Sequence, residues 1–399
     1  MSMQTYWCNT FPLPVSIIKD CERVLRRFLW GGSGRSKVKW AHVCKPQREG
    51  GLGIKDLRKW NEVLLVKLIW NVLKEQSLWA KWCHAYLIYR TNFWTLPTGG
   101  LLSWTWRRLL LLRPMVKEHF KYICGNGERF SLWYDPWLQG ESVQALYGHR
   151  VIYDTGLGKL ARVKDILSGG EWSWPQTSVD LIELQQRVQP IPISTVPDSI
   201  SWVKAGEGFT NAIAWQVLRR RDSEVTWHYI VWHPHRIPKH AFILWLTLHG
   251  ALKTRDSLLA IGIVQNASCV FNCGDTKTAA HLFFQCPFTA KVWTDVLRLC
   301  NIGRMVLPWE DEIQWMLAHS KGNHFPGTVL KLAFAASIYH IWLERNRRCF
   351  NNRFLPYPEI VRKVKLDVTG RLASGNNAQR CDQHHSLCVN WGIALDDRM

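Results

Sequence analysis

Cys269-Val-Phe-Asn-Cys273-Gly-Asp-Thr-Lys-Thr-Ala-Ala-His281-Leu-Phe-Phe-Gln-Cys286-Pro287 gathers three thiols and one imidazole within eighteen residues. Three thiolates and an imidazole suit a tetrahedral Zn²⁺. The first cysteine pair precedes a Gly-Asp turn, and Leu282, Phe283 and Phe284 predict the first turn of a helix carrying His281 and Cys286. With all four positions filled by protein, such a site is structural, because a catalytic zinc keeps one position for water. The competing reading is three buried thiols and a helix-start histidine that never meet a metal. The first spacing, C-x3-C, is one residue longer than the usual knuckle. Redox chemistry fits poorly, since the spacing is not C-x-x-C and no βαβ pattern surrounds it. A Cys/His nucleophile pair also fits poorly: five residues apart on an α-helix, His281 and Cys286 stand about 140° apart.

Around this stretch lies a basic, aromatic chain. Its formal charge is +20, with 51 Lys and Arg against 31 Asp and Glu. Such an excess favours a polyanionic partner, most simply nucleic acid, against the plainer reading of a solvated basic surface. There are 24 tryptophans, which either build cores or stack on bases, core being the commoner use. Twelve cysteines without a secretory leader predict a reducing, intracellular setting. No apolar run approaches the ~18 residues of a membrane span, so no membrane partner is expected.

Upstream, residues 15–30 predict a helix with Ile17, Cys21, Val24, Leu25 and Phe28 on one apolar stripe. From Lys19 to Lys59 there are twelve basic and four acidic residues, the densest cationic region. Arg23, Arg26, Arg27, Lys37 and Lys39, with Arg219, Arg220 and Arg221 further on, are the candidate phosphate contacts. Glu49-Gly-Gly-Leu-Gly53 lacks the ending of a phosphate loop and predicts a turn, with Asp56 capping the next helix. Gly125-Asn-Gly127 between β-prone arms predicts a hairpin near 122–134, and Gly206 or Gly208 turns a second near 200–210. Pro190, Pro192 and Pro197 mark a linker. His233 and His235 read as part of a polar loop. A short helix is expected at Ser257–Ile261, the longest helix over Val329–Phe350, and a peripheral, partly disordered stretch over the last ~45 residues.

Taken together, the ordered motifs resemble a known family. The Cys269…Cys273…His281-Leu-Phe-Phe-Gln-Cys286-Pro287 segment, with Pro238-Lys-His-Ala-Phe-Ile-Leu-Trp245 and Thr254-Arg-Asp-Ser-Leu-Leu259 before it, resembles the reverse-transcriptase zinc-binding domain of plant non-LTR (LINE-type) retroelements. Phe11-Pro-Leu-Pro14, Phe28-Leu-Trp-Gly31, Glu49 to Leu57 and Asn61 to Leu73 resemble the segment after the polymerase palm. Gly125-Asn-Gly127 with Trp133-Tyr-Asp-Pro-Trp137 resembles its connection, and Ile341-Trp-Leu-Glu-Arg-Asn346 its closing helix. Two departures matter. The family has two residues between the first cysteines where this chain has three, which predicts a bulged and weakened knuckle. The paired aspartates of a polymerase palm are also missing: the adjacent Asp396-Asp397 lie at the end of the chain without flanking strands.

The resemblance implies a mainly α chain with a helical thumb-like region, two short hairpins and a small zinc-knuckle helical domain. It implies a thumb-like region over 1–75 and a helical connection with a hairpin over 76–145. An irregular Pro-containing linker follows over 146–198, the zinc-binding domain over 199–300, a closing helical segment over 301–355 and a peripheral tail over 356–399. The function it implies is a non-catalytic remnant holding structural Zn²⁺ through Cys269, Cys273, His281 and Cys286, with RNA or DNA as partner. The alternative is a structural or protein-interaction module without nucleic acid.

Overall fold

A computed structural model describes residues 7–31, 36–203, 206–252, 269–274, 281–373 and 384–393. The expected helix at Ser257–Ile261 and the Thr254–Leu259 motif lie outside the described residues. The chain divides into two compact units, Met1–Leu25 with Lys55–Arg221, and Arg26–Ile54 with Asp222–Met399. Both are mainly helical.

In the first unit, the helix Leu57–Lys74 sets the pattern. Asp56 caps it as expected, its carboxylate accepting from the Lys59 amide at 3.0 Å. Trp60, Leu64, Leu65, Val66, Ile69 and Val72 are all buried. Its broad apolar surface must be covered, and Leu78–Tyr86, Trp104–Val116 and Asn211–Leu218 pack against it, while Arg58, Lys59 and Lys67 stay exposed.

The two β-prone segments form strands, but not the local hairpins the sequence predicts. Phe120–Ile123 instead pairs antiparallel with Ser199–Trp202, placing Phe120 opposite Trp202. The Gly125-Asn-Gly127 segment wraps a buried carboxylate rather than turning a hairpin. Asp198 Oδ1 accepts from the amides of Gly125 and Gly127 at 2.7 and 3.0 Å. Its Oδ2 accepts from Arg129 and Phe130 at 2.9 and 3.3 Å. A Cβ on Gly125 would lie 2.0 Å from the Val196 carbonyl oxygen, so glycine permits this close approach. Local turn signals favour the nearest pairing, whereas four amides on one carboxylate fix a pairing between distant residues.

Residues expected to form an irregular linker are core instead. Trp172, Trp174, Leu181, Leu184 and Val188 are buried, and Trp137 stacks on Trp172 at 5.3 Å. The prolines there mark a turn back toward the Ser199–Trp202 strand, a signal that a linker would give equally. The helix Val15–Trp30 forms where expected, yet its apolar stripe does not face inward. Ile17 and Val24 are exposed and Phe28 is 89% exposed, while Ile18 and Trp30 are buried. Periodicity locates an apolar face but does not supply the surface that covers it.

The second unit is built on Phe325–Phe350, a 26-residue helix that begins four residues before the expected start. His324 caps it through Nδ1, which accepts from the Gly327 amide at 3.0 Å. The helices Pro238–Leu248, Pro287–Leu299 and Tyr357–Ala373 pack on it. The last of these corrects the expected peripheral tail: Ile360, Val364, Val368 and Leu372 form a buried stripe at four-residue spacing. Interspersed charges hide that stripe in a composition-level reading. The Glu49–Gly53 turn forms as expected, with Gly50 at φ +85°. The Gly50 carbonyl accepts from the Trp245 indole at 2.8 Å. Thirteen of the 24 tryptophans are buried, among them Trp133, Trp202, Trp245, Trp293 and Trp391, so most of these rings build core.

Candidate metal centre

The local chain between His281 and Gln285 is a single π-helical turn. The amide of Cys286 donates to the His281 carbonyl at 2.9 Å, a five-residue step. A π turn of this kind brings residues five apart onto one side of the helix. This corrects the α-helical wheel, which turns His281 and Cys286 away from each other. Leu282, Phe283 and Phe284 anchor the turn in the core, with Phe284 stacked 5.8 Å from Phe334 and 5.6 Å from Trp309.

Cys286 also occupies the cap position of the helix Pro287–Leu299. The amides of Phe288 and Thr289 act on its sulfur in the direction that favours a thiolate. The other arm is Cys269–Cys273. Its extra residue is absorbed at Asn272, whose φ is +57° and whose amide donates to the Cys269 carbonyl at 3.2 Å. Asparagine adopts this left-handed conformation more readily than most side chains. Val270 and Phe271 are buried, and Phe271 stacks on Phe288 at 4.8 Å with Arg348 above both rings. The longer spacing therefore tethers the arm to the core while its two sulfurs reach the site.

The ligand atoms of Cys269, Cys273, His281 and Cys286 all lie within 4.8 Å of one another. The sulfurs of Cys269 and Cys286 are 3.9 Å apart, and Cys273 Sγ is 3.1 Å from His281 Nε2. Bonds of about 2.3 Å to zinc imply sulfurs roughly 3.8 Å apart around a tetrahedron. Cys269, His281 and Cys286 are buried. A hydrogen bond from Cys286 holds the Cys269 thiol below its ordinary range. That bond and burial raise Cys286 in turn. A divalent cation offsets the cost of placing further thiolates in this space. The donor set and the sulfur spacing fit Zn²⁺.

The candidate phosphate contacts are placed as follows. Arg23 is exposed and paired with Asp20 at 2.7 Å. Arg27, Lys37 and Lys39 are exposed, and the Arg26 guanidinium lies over the Trp40 ring at 5.2 Å. Arg220 and Arg221 are exposed, whereas Arg219 is partly buried and donates to the Gln216 side chain at 3.0 Å. Elsewhere in the basic region, Lys45 pairs with Asp222 at 3.3 Å and Arg48 with Glu224 at 3.8 Å. His233, read from sequence as part of a polar loop, is buried at 4% exposure, and burial lowers its pKa to about 3. A cluster of His240, His340 and Asp367, missed in the sequence, lies on three helices. The members are 27 to 127 positions apart, so no spacing motif could have revealed it. No helix among the described residues is long and apolar enough to cross a membrane.

Residues 209–293, which include Cys269, Cys273, His281 and Cys286, match the family model described as zinc-binding in reverse transcriptase. Over 320 residues the chain is 28% identical to the "Putative ribonuclease H protein" of Arabidopsis thaliana, covering 74% of this chain and 50% of that protein. Over 148 residues it is 22% identical to an uncharacterized mitochondrial protein of the same plant, covering 36% of this chain and 96% of that protein. The chain thus spans about half the length of the longer relative.

Proposed function

We propose that this chain, whose residues 209–293 match the family model described as zinc-binding in reverse transcriptase, is a non-catalytic, zinc-stabilised, nucleic-acid-binding remnant of a plant LINE-type polyprotein. The convergence of Cys269, Cys273, His281 and Cys286 inside the matched segment carries this reading. Zinc held by these four residues supplies a structural cross-link between the Cys269–Cys273 arm and the His281–Cys286 turn. With four protein donors it offers no open position for catalysis. The chain's own residues do the binding. Exposed Arg27, Lys37 and Lys39 on one unit, and Arg220 and Arg221 on the other, each supply phosphate contacts to RNA or DNA. A net charge of +20 supports that partner.

Metal analysis of the purified chain, joined to filter binding of RNA and DNA over a salt series, tests the two halves separately. One zinc per Cys3His site and an affinity that falls steeply with salt support the reading. A chain without zinc, or an affinity indifferent to salt, removes the corresponding half. Primer extension by the purified chain would overturn the non-catalytic assignment.

One observation favours a second reading, a protein-interaction module. Ile17, Val24 and Phe28 expose an apolar face on the helix Val15–Trp30, right beside its cations. Large exposed apolar faces mark interaction surfaces. Partner binding that survives charge reversal but not Phe28→Ser would select it.

A further inference from the structure

Three helices of the second unit bring together side chains that play no part in the thiolate centre. His240 comes from Pro238–Leu248, His340 from Phe325–Phe350 and Asp367 from Tyr357–Ala373. The Nε2 atoms of His240 and His340 lie 3.0 and 2.9 Å from the same oxygen, Asp367 Oδ2. One ligand atom from each residue falls within 4.8 Å of the other two.

His240 makes the cluster more than an ion pair. It is 1% exposed, and neither of its ring nitrogens has a hydrogen-bond partner. Nε2 meets the distance to Asp367 but not the direction a hydrogen bond needs. A buried imidazole placed this way regains through the nearby carboxylate only part of the hydration it gives up. Tyr339, whose ring centre lies 4.4 Å from that of His240, packs against it and offers it no hydrogen bond. What the buried nitrogen faces is a carboxylate oxygen already shared with a second imidazole. Two imidazole nitrogens and one carboxylate oxygen converging on a point form a familiar donor set for a first-row divalent ion.

We propose that His240, His340 and Asp367 form a second divalent-cation site, with Zn²⁺ as the favoured ion, that ties the three helices together. Metal ligation takes the neutral form of an imidazole. Three protein donors leave at least one coordination position for water or an anion, unlike the four-donor thiolate site. Two cations oppose the ion. Lys239 Nζ lies 3.5 Å from the same Asp367 oxygen, and Lys363 acts on His340. Affinity is therefore weaker than at the thiolate site. This inference does not depend on the nucleic-acid reading or on the thiolate centre.

Titration of the metal-stripped full chain with Co²⁺ separates the two sites. Cobalt on thiolates gives intense sulfur-to-metal charge-transfer absorption, whereas cobalt on two imidazoles and a carboxylate gives none. The parent chain is expected to take two ions. His240→Gln and Asp367→Asn are each expected to take one, with the charge-transfer band intact. Cys286→Ser is expected to keep one ion without that band. A parent whose only bound ion carries the charge-transfer band, or His240→Gln and Asp367→Asn chains that take as many ions as the parent, overturns the proposal. Should His240→Gln fail to fold, as judged by circular dichroism in chelator, His340→Gln at the more open edge serves in its place. His340 is 11% exposed by side chain, and the same loss of one ion is expected.

Discussion

The Cys286 amide reaches back to the His281 carbonyl at 2.9 Å, and this five-residue step places both ligands on one side of the turn. Cys286 is also fully buried at a helix start. Cys286→Ser should therefore cost the chain its thiolate-site zinc and loosen the surrounding core. Structural zinc supplies folding free energy on the order of 10 kcal/mol, so the loss should appear as faster amide exchange through Leu282–Phe284 and a lower melting temperature. Chelator applied to the parent should produce the same exchange pattern. A variant with the parent's zinc content would sink the assignment of this ligand.

Asn272 lets a three-residue gap serve where two residues are usual. Its φ of +57° is one that a β-branched side chain resists. Asn272→Val should lower stability by about 1–2 kcal/mol and weaken zinc affinity along with it, whereas Asn272→Gly should be nearly neutral. Competition with a chromogenic chelator measures the affinity. Equal affinities in the valine and glycine chains would show that the backbone conformation does not carry the longer spacing.

Asp198 holds four amides from the Gly125–Phe130 segment and so closes the strand pairing of the first unit. Asp198→Ala leaves several buried donors without an acceptor, each worth about 1–3 kcal/mol. Urea unfolding should show a loss of at least about 3 kcal/mol. A smaller loss than one such hydrogen bond would mean that the segment finds other acceptors.

The Cys/His cluster, the caps and the long helices were legible because each is written within a few consecutive residues. Asp56 declares its cap by position, and the three cysteines and the histidine that the fold brings together announce themselves by type and order. What stayed hidden depends on partners far along the chain. Phe120 cannot signal that Trp202 will face it, because strand pairing is settled by the carboxylate of Asp198. Phe28 shows the periodicity of a core residue, yet nothing local says whether that face will be covered. Asp367 sits among lysines and arginines as an ordinary surface acid would, and only tertiary packing sets it against two histidines.

His233 gives the second unit a pH dependence. Burial lowers its pKa to about 3 from an ordinary value near 6.5, with Lys331, His235, Arg236 and Arg371 adding to the shift. The folded chain thus refuses a proton that the unfolded chain accepts. The stability is fully present above about pH 6.5 and falls as pH drops toward 3, by about 1.4 kcal/mol per pH unit once the unfolded histidine is protonated. His233→Leu should remove this slope between about pH 6 and 4. Unfolding free energies measured across that window, parent against variant, decide it, and parallel curves would count against a neutral buried His233.

Arg26, Arg27, Lys37 and Lys39 lie in the densest basic region, and Arg27, Lys37 and Lys39 are exposed. If each neutralises one phosphate, changing all four to Gln releases four fewer counterions. The slope of log affinity against log salt should then flatten by about 3 to 4, the smaller figure for single strands and the larger for duplex DNA. Affinity at low salt should fall across all sequences alike, because phosphate contacts carry no base information. Phe28→Ser provides the contrast, since it alters the apolar face of the same helix and leaves the charges in place. An unchanged slope in the four-Gln chain, alongside lost binding in Phe28→Ser, would transfer the interaction from the cations to the apolar face.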